Sequence, residues 1–494
     1  MKVFLTGATG LVGRALVLRL QRDGHVLRAW VRSSERARSQ LGPDVQLVDA
    51  STGTPGLAEE VRASDAVIHL AGTPILARRW TAARQREILE GRRELTAQIA
   101  QSVPAGAQRV LISASAVGYY GARGDEPLGE DSSPGQGFLT RVCRAWEEAT
   151  LPAARAGARV VLLRTGLVLA RDGGLLGSLL PLYRLGLGGP VGDGRQVMPW
   201  IHLDDLVELI ATALVDARYQ GPLNATAPQP VTQREFSAAL GHALGRPARL
   251  PVPAFALRAL LGERATLLLH GQRALPRKAQ GLGFRFSFPK LELALDDLLD
   301  DSNIIIDGSR EAPPSDARTL GVLPATPLQV LRSKVTLDAP LAQVFEFFSK
   351  PENLGLMTPR GLEFQIQTAT CTMHAGARID YRIRLGVLPL RWRTHIANWS
   401  PPHVFADRQE RGPYRFWWHE HRFLAEGLGT SMEDRVYYTL PFGWLGRIVH
   451  ALLVKRQLRS IFGYRGQAVR LRFGSEGRAV ASDSARPASQ HVSF

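Results

Sequence analysis

The sequence predicts an α/β unit with a doubly wound parallel sheet and a helical extension, followed by a smaller α+β unit. Over the first 230 residues, short apolar runs alternate with helical patterns, which is typical of a parallel sheet with helices on both faces. A stretch at 303–328 contains Pro, Gly and Ser and lacks helical periodicity, which predicts a linker. Beyond it, several alternating apolar patterns and one long amphipathic pattern over 445–465 predict antiparallel strands and a final helix.

The individual elements follow from the same patterns. Residues 81–102 are predicted to form an amphipathic helix between two strands. The apolar runs predict strands over 2–7, 26–31, 45–49, 66–72, 109–115 and 158–166. The predicted segments are 1–230 for the parallel-sheet unit, 231–302 for its extension, 303–328 for the linker, 329–472 for the second unit and 473–494 for a disordered tail.

Composition restricts the class of protein. The chain has 494 residues, of which 45% are hydrophobic and 21% charged, as in globular proteins of several domains. It contains no apolar run of membrane-spanning length, and "MKVFLTGATG" lacks the apolar core of a signal peptide. Cys143 and Cys371 are the only cysteines, which excludes a disulfide framework and favours the reducing cytoplasm.

The net charge of +16 raises the question of a nucleic-acid partner. Only six of the 61 basic residues are lysine, and the arginines are spread along the chain. No nucleic-acid-binding motif accompanies them, so we expect a small-molecule substrate and no nucleic acid.

A glycine triplet, "TGATGLVG", directly follows the first strand and opens a helix. In this context Gly7 allows a tight turn, Gly10 lets a pyrophosphate approach the backbone, and Gly13 lets the helix pack closely. Phosphates then lie at the helix N-terminus. The alternative is a packing turn without a ligand. The motif predicts a dinucleotide site.

The ends of the next strands indicate which dinucleotide. In "WVRSSERAR", Arg32 and Ser33 stand where an acidic residue would grip the ribose hydroxyls of NAD, so NADP(H) is preferred. The alternative is that Arg32 is a solvated surface residue. Asp49 ends the third strand, and the small residues of "HLAG" (69–72) let a cofactor lie close to the fourth.

The glycine triplet, "HLAG", "ISASAVGYYG" (112–121), "LRTG" (163–166) and "PWIHLDDL" (199–206) together resemble the extended short-chain dehydrogenases/reductases. More narrowly, 251–276 and 282–295 resemble the helical extension of the epimerase family proteins of that superfamily. The resemblance implies a seven-stranded Rossmann-like sheet, bound NADP(H) and a cleft contacting the substrate through Arg164, Trp200 and His202. The cofactor contacts it implies are Thr6, Gly7, Thr9, Gly10, Leu11, Val12, Gly13, Arg32, Ser33, Asp49, Leu70, Ala71, Gly72 and Ser113.

The catalytic residues of the superfamily are only partly present. Its chemistry uses a serine on the fifth strand and a Tyr-x-x-x-Lys pair on the following helix. Ser115 fits the serine, with Ser113 as the alternative. The helix predicted over 137–149 offers Phe138 and Val142 in one alignment and Leu139 and Cys143 in the other. No Tyr-x-x-x-Lys occurs anywhere in the sequence.

Other proton donors are therefore considered. Tyr119 and Tyr120 follow the serine strand, Tyr183 lies in a segment that lines the cleft, and Glu147 is on the helix itself. Each also has a structural interpretation, the tyrosines as cleft walls and Glu147 as a solvated residue. Ser115 and Tyr120 are the predicted catalytic residues. Asp204 is explained as a helix cap without any ligand.

Residues 329–472 resemble the START-like, polyketide cyclase-like superfamily (SRPBCC), which has the helix-grip fold. The resemblance rests on "SKVTLDAPLAQVFEFFSKPENLGLMTP" (333–359), the strands over 381–396 and 412–443, and the final helix. It implies a cavity for an apolar ligand. His419 and His421 lie on one face of a strand, but no third ligand accompanies them in the sequence, so no metal is predicted.

The sequence thus predicts an NADP(H)-dependent oxidoreductase or epimerase-like protein with an altered acid–base set and an appended ligand-binding domain. The alternatives are an NADP(H)-binding regulatory or scaffold protein without catalysis, and a cyclase-like enzyme in which the second domain is catalytic.

Overall fold

The computed structural model describes residues 1–76, 78–106, 109–308, 328–368, 372–385, 388–441 and 443–475. Most of the predicted linker, Cys371 and nearly all of the predicted tail lie outside these ranges. Within them, no helix is long and apolar enough to cross a membrane.

The N-terminal unit is built on a seven-stranded parallel sheet, as the alternation of patterns predicts. The spatial order is β11-β7-β5-β4-β1-β2-β3. Every neighbouring pair runs parallel, so the carboxyl ends of the strands share one edge. The strands are β1 Lys2–Thr6, β2 Val26–Val31, β3 Gln46–Asp49, β4 Ala66–His69, β5 Val110–Ala116, β7 Arg159–Thr165 and β11 Gly221–Ala225.

Helices cover both faces of this sheet because successive strand residues point to opposite sides. Phe4 packs on one face in a cluster with Ile99, whereas Leu5 packs on the other with Leu16 and Ile210. The helices of this unit are α1 Leu11–Arg22, α2 Ser34–Leu41, α3 Gly53–Ala63, α4 Ala82–Ser102, α5 Phe138–Glu148, α6 Leu151–Arg155, α7 Gly174–Arg184 and α8 Leu203–Val215. The predicted helices over 81–102 and 137–149 are α4 and α5.

The region 231–302 is mainly helical and packs on α7. Phe236, Leu240 and Leu295 form an apolar cluster with Leu176 and Leu180 of that helix. Its helices are α9 Gln233–Ala243, α10 Ala254–Leu261, α11 Thr266–Leu269, α12 Arg277–Gly281 and α13 Leu291–Leu299. Two two-stranded pairings tie it to the parallel-sheet unit: β9 Val197–Met198 with β12 Val231–Thr232, and β6 Pro127–Leu128 with β13 Arg273–Ala274. A third pairing, β8 Leu167–Ala170 with β10 Trp200–His202, lies within the parallel-sheet unit.

The C-terminal unit contains an eight-stranded antiparallel sheet, in the order β14-β15-β21-β20-β19-β18-β17-β16. The final helix, Lys455–Phe473, lies against it through Leu458 and Phe462, which cluster with Leu331 and Val436. Shorter helices are Leu341–Phe348 and Gly443–Val449. The strands are β14 Ile304–Gly308, β15 Gln329–Leu337, β16 Gln365–Ile366, β17 Arg378–Leu385, β18 Leu388–Ser400, β19 Val404–Arg411, β20 Phe416–Glu426 and β21 Gly429–Thr439.

Two boundaries differ from the sequence-based expectation. The start of the predicted linker is strand β14, which pairs with β15 from Ile304 opposite Ser333 onwards. Its alternating residues Ile304 and Ile306 are buried, and this burial stabilises a strand at a position where the following Pro- and Ser-containing residues indicated a loop. The last helical segment is also longer than 445–465, because apolar residues such as Val469 and Phe473 continue its buried face.

The two units are packed against each other. The buried Arg14 guanidinium on α1 donates to the carbonyl oxygens of Gly355 and Thr358, the latter at 3.0 Å. Nε2 of Gln467 on the final helix donates to Oδ1 of Asp204, 2.8 Å away at the start of α8. The C-terminal unit therefore lies beside the helix that follows the glycine triplet.

Candidate functional site

The glycine triplet forms a tight turn between β1 and α1. Gly7 has φ +77°, and a Cβ on it would lie 2.7 Å from the carbonyl carbon of Leu70. A Cβ on Gly13 would lie 2.3 Å from the oxygen of Gly7. Gly10 is the N-cap of the helix, so no side chain caps the helix N-terminus, and its N–H donates to the Gly7 oxygen at 2.9 Å. The turn thus brings backbone and helix N-terminus together without side chains, which fits a pyrophosphate.

The triplet's remaining residues are placed around this turn. Thr9, Leu11 and Val12 are partly exposed at the start of α1. Thr6 is fully buried at the end of β1. These positions surround the N-terminus of α1, as the sequence predicts for a cofactor cradle.

The end of β4 lies next to Thr6. Oγ1 of Thr6 is 2.6 Å from Nδ1 of His69, and the Leu70 N–H donates to the Thr6 carbonyl at 3.0 Å. His69 is fully buried, and this burial lowers its pKa to about 4, so the imidazole is neutral. Ala71 and Gly72 follow, and a Cβ on Gly72 would lie 3.3 Å from the guanidinium of Arg92. Arg92 is a buried cation beside the predicted cofactor path that sequence reasoning missed.

The residues predicted to contact the adenosine end of the cofactor lie at the ends of the adjacent strands β2 and β3. Arg32 is exposed just beyond β2, and Ser33 caps α2 by accepting from the Arg36 N–H at 3.4 Å. Asp49 ends β3 opposite Val31. The Asp49 carboxylate accepts from the Ser51 N–H at 3.0 Å and from the Ser34 hydroxyl at 3.0 Å, and these bonds lower its pKa. The structure therefore places Arg32 and Asp49 at the same carboxyl-terminal edge of the parallel sheet.

A buried hydrogen-bonded network joins the predicted catalytic and substrate residues. The Ser115 hydroxyl donates to Oε1 of Glu147 at 2.7 Å. Arg164 donates to both oxygens of Glu147, each at 2.9 Å. Arg164 also donates to the Tyr120 hydroxyl at 3.0 Å, and that hydroxyl donates to Oδ1 of Asn224 at 2.7 Å. Ser115, Tyr120 and Arg164 thus meet, although they come from distant parts of the sequence.

Glu147 is the centre of this network and not a solvated helix residue. Its side chain is 10% exposed. Burial opposes protonation of Arg164, but its hydrogen bonds with Glu147 raise its pKa above the usual value. Burial raises the pKa of Tyr120, so the phenol keeps its proton. Glu147 lies four residues after Cys143 on α5, and this spacing is the signal that could have placed it on the inner face.

An apolar cleft of about 340 Å³ adjoins the end of β5 and α5. Leu139 and Cys143 line it, whereas Phe138 makes an edge-to-face contact with Trp80, with ring centroids 5.0 Å apart, and Val142 is buried. Of the two alignments considered on sequence, the structure thus turns the pair Leu139 and Cys143 toward the cleft. Leu139 and Cys143, one of the two residue pairs aligned with the superfamily's tyrosine and lysine, are thus part of the apolar wall.

Two ionisable side chains of the cleft wall, a thiol and a phenol, keep their protons at neutral pH. Burial raises the pKa of Cys143 to about 12, so the residue is a thiol. Tyr183 also lines the cleft, its hydroxyl is 2.7 Å from Oγ of Ser237, and burial raises its pKa.

The predicted substrate contacts Trp200 and His202 lie in the protein core. Both are fully buried, and neither is among the residues that line the cleft. The same holds for the buried Ser115, Tyr120 and Arg164. Nε1 of Trp200 donates to the Gln229 carbonyl at 3.1 Å. His202, rather than Asp204, caps α8, because its Nδ1 accepts from the Asp204 N–H at 3.0 Å. Trp200 and His202 therefore have structural roles, one bonded to the chain at Gln229 and the other capping α8.

Ser113, the alternative serine, is fully buried on β5 opposite His69 of β4. Its hydroxyl is 3.4 Å from the Ala114 carbonyl, whereas Ser115 reaches Glu147 at 2.7 Å. The geometry therefore favours Ser115 as the serine connected to the network.

A second cavity, of about 200 Å³, lies in the C-terminal unit between the sheet and the final helix. Aromatic side chains dominate its wall: Phe348, Phe364, Tyr381, Trp392, Phe405 and Trp417. Asp407, His419, His421 and Arg465 form a polar group in the same wall. Burial would raise the pKa of the adjoining Asp434, but Arg465 and the two histidines hold it well below the usual value.

Fold and glycine turn together define a dinucleotide-binding class of α/β protein. Comparison with known protein families identifies a family of this class. Residues 3–224 match the NAD dependent epimerase/dehydratase family, and residues 252–298 match a domain of unknown function, DUF1731. The chain belongs to the NAD dependent epimerase/dehydratase family, within the extended short-chain dehydrogenases/reductases.

Individual relatives extend this result. The chain is 44% identical over 307 residues to "Epimerase family protein SDR39U1 homolog, chloroplastic" of Arabidopsis thaliana, covering 60% of this chain and 86% of the relative. It is 39% identical over 285 residues to "Epimerase family protein ML0860" of Mycobacterium leprae, covering 58% and 91%. The crystal structure of human epimerase family protein SDR39U1 with NADPH is similar, with 35% identity, a TM-score of 0.55 and coverage of 60% and 99%.

Proposed function

We propose that the N-terminal unit binds NADP(H) and acts as an oxidoreductase or epimerase-like protein on a small molecule. The observation that carries the proposal is the glycine turn, where a Cβ at Gly7 or Gly13 would lie within 2.7 Å of backbone atoms. The crystallisation of the human relative with NADPH supports the choice of cofactor.

The residues that would hold the cofactor surround that turn. The diphosphate of the cofactor would contact the turn and the start of α1, at Thr6, Thr9, Gly10, Leu11 and Val12. The rest of the cofactor would extend along β4 and β5, past Leu70, Ala71, Gly72 and Ser113. Arg32 and Ser33 meet the 2′-phosphate, because a guanidinium and a hydroxyl suit that group. Asp49 lies at the adenine end. When bound, NADP(H) supplies hydride transfer.

The substrate in this proposal is largely apolar, because Leu139, Cys143 and Leu167 line the cleft. It carries a carbonyl or hydroxyl group, because hydride transfer with NADP(H) needs one. Ser115 and Tyr120 act through one hydrogen-bonded chain that includes Glu147 and Arg164. This chain orients groups at the end of β5 in place of the Tyr–Lys pair.

A second candidate function is an NADP(H)-binding protein without turnover. The observation that favours it is the placement of Leu139 and Cys143 on the cleft wall. Neither side chain exchanges a proton at neutral pH, since one is a hydrocarbon and burial raises the pKa of the other to about 12.

We further propose that the C-terminal unit is a START-like, helix-grip domain that binds an apolar ligand. Its antiparallel sheet, the final helix and the aromatic cavity between them support this assignment. The cyclase-like alternative places the chemistry in this cavity. A cytoplasmic location, expected from the cysteine content, remains a prediction.

The test is NADPH oxidation by the full chain against a panel of apolar aldehydes and ketones, with NADPH binding measured separately. Ser115→Ala is expected to lower turnover on the order of 100-fold. Ser302→Ala, an exposed serine at 302 outside the cleft, is the matched control and should leave turnover unchanged. Tight NADPH binding without turnover on any carbonyl supports the second candidate. Failure to bind NADPH contradicts both.

A further inference from the structure

Three side chains from two neighbouring strands converge in the wall of the C-terminal cavity. Nε2 of His421 is 3.2 Å from Oδ2 of Asp407, and Nδ1 of His419 is 3.6 Å from the same oxygen. One ligand atom from each residue lies within 4.8 Å of the others. The strand register explains the convergence, because Asp407 on β19 pairs with His419 on β20. The third ligand that the sequence alone does not show is thus Asp407.

A second carboxylate fixes both imidazole rings from behind. Oδ1 of Asp434 is 3.1 Å from Nε2 of His419 and 2.8 Å from Nδ1 of His421. Nη2 of Arg465 lies 2.9 Å from the same Nδ1 of His421. Each imidazole ring thus has one nitrogen toward Asp434 and its other nitrogen toward Asp407. A carboxylate that holds the outer nitrogen of a ligating histidine is the usual surrounding of a protein metal site.

The charges and spacing at this point also suit a cation. Nε of Arg465 is 3.0 Å from Oδ2 of Asp434, so that pair is neutral overall and the charge of Asp407 remains. Bonds of about 2.0–2.2 Å to nitrogen and oxygen in tetrahedral geometry place ligand atoms about 3.3 Å apart. The two histidine nitrogens lie 3.2 and 3.6 Å from Oδ2 of Asp407, which is close to this spacing.

We propose that Asp407, His419 and His421 bind one divalent transition-metal ion of the Zn²⁺ type at the polar end of the C-terminal cavity. The open coordination position faces the aromatic wall and takes an oxygen donor of an otherwise apolar ligand. Two histidines and one carboxylate with an open position are the ligand set of catalytic rather than structural metal sites. The inference rests on the cavity and is independent of NADP(H) binding by the N-terminal unit.

The test is Zn²⁺ titration of the full chain by calorimetry, after tag removal and treatment with a chelator, with Co²⁺ absorption as a second readout. One Zn²⁺ per chain is expected. Asp407→Ala and His421→Ala should each weaken binding on the order of 100-fold, and Asp434→Asn about 10-fold. His403→Ala removes an exposed histidine next to β19 and should leave the affinity unchanged.

Circular dichroism and NADPH affinity establish that each variant is folded, and Asp407→Asn replaces Asp407→Ala if the latter does not fold. Visible Co²⁺ bands that disappear in the Asp407 variant support the assignment. Absence of saturable Zn²⁺ binding in the folded wild type overturns the metal assignment. The contact between His421 and Asp407 is then an ordinary hydrogen bond through a shared proton. Equal affinity of wild type and the Asp407 variants also overturns the metal assignment.

Discussion

Glu147 and Arg164 form a buried bidentate pair, with both carboxylate oxygens 2.9 Å from guanidinium nitrogens. The pair joins α5 to β7, and it also holds Ser115 and Tyr120. It therefore positions the end of β5 beside the predicted cofactor site.

Glu147→Gln tests this pair directly. The substitution keeps the shape of the side chain but leaves the buried Arg164 without its counter-charge. We expect the free energy of unfolding to fall by about 3–5 kcal/mol. Urea titration provides the measurement. Glu148→Gln, which changes the exposed neighbour, should change it by less than about 0.5 kcal/mol, and similar losses in both variants would show that the pair is not structural.

Gly13→Ala tests the close packing of the glycine turn. The new methyl group would lie 2.3 Å from the Gly7 oxygen, so the turn must open. We expect NADPH affinity to fall more than about 10-fold, as the helix N-terminus is displaced. Gly281→Ala is the control, because a Cβ there meets no heavy atom within 4 Å. Unchanged NADPH affinity in Gly13→Ala would contradict the cradle.

His69 predicts a pH dependence of stability. Burial lowers its pKa to about 4, below the usual 6.5 of the unfolded chain. The unfolded chain therefore binds more protons between these values, and stability is lost as the pH falls from about 6.5 to 4. The expected loss is about 3 kcal/mol.

The measurement is urea unfolding at several pH values for wild type and His69→Gln. The variant should show a shallower loss of stability across this window, whereas His242→Gln, at an exposed site, should follow the wild type. If the free energy of unfolding falls equally steeply with falling pH in wild type and His69→Gln, His69 is not the cause of the pH dependence.

Cys143 predicts low thiol reactivity. The thiol is buried and its pKa is raised to about 12, so thiolate is scarce at pH 8. In a Cys371→Ser background, alkylation of the folded chain should be on the order of 100-fold slower than after unfolding in urea. Equal rates would show that the Leu139 and Cys143 wall is open to solvent.

Local patterns predicted much of this fold. Apolar runs such as 66–72 mark strands because parallel strands are buried on both faces, as β4 is along its whole length. The glycine turn was also predictable, since backbone geometry at Gly7 restricts the residue locally. Strand β14 was missed because its partner begins more than twenty residues later, beyond a stretch that reads as a linker.

The site was predicted less completely, for a physical reason. Glu147 appears on the sequence as one more charged helix residue, and only tertiary packing brings Ser115 and Arg164 to it. Trp200 and His202 have the residue types of a binding site, but packing places them in the core. Contacts between distant segments depend on the whole fold and leave no short-range pattern.

The central claim, an NADP(H) site with Arg32 at the 2′-phosphate, is tested most directly by calorimetric titration of the full chain with NADPH and with NADH. Wild type should prefer NADPH, and Arg32→Asp should weaken NADPH binding about 10–100-fold while sparing NADH. Arg62→Asp makes the same charge change at an exposed site in the last turn of α3, before β4 begins, and should retain the preference. An NADPH preference that survives Arg32→Asp would contradict the account.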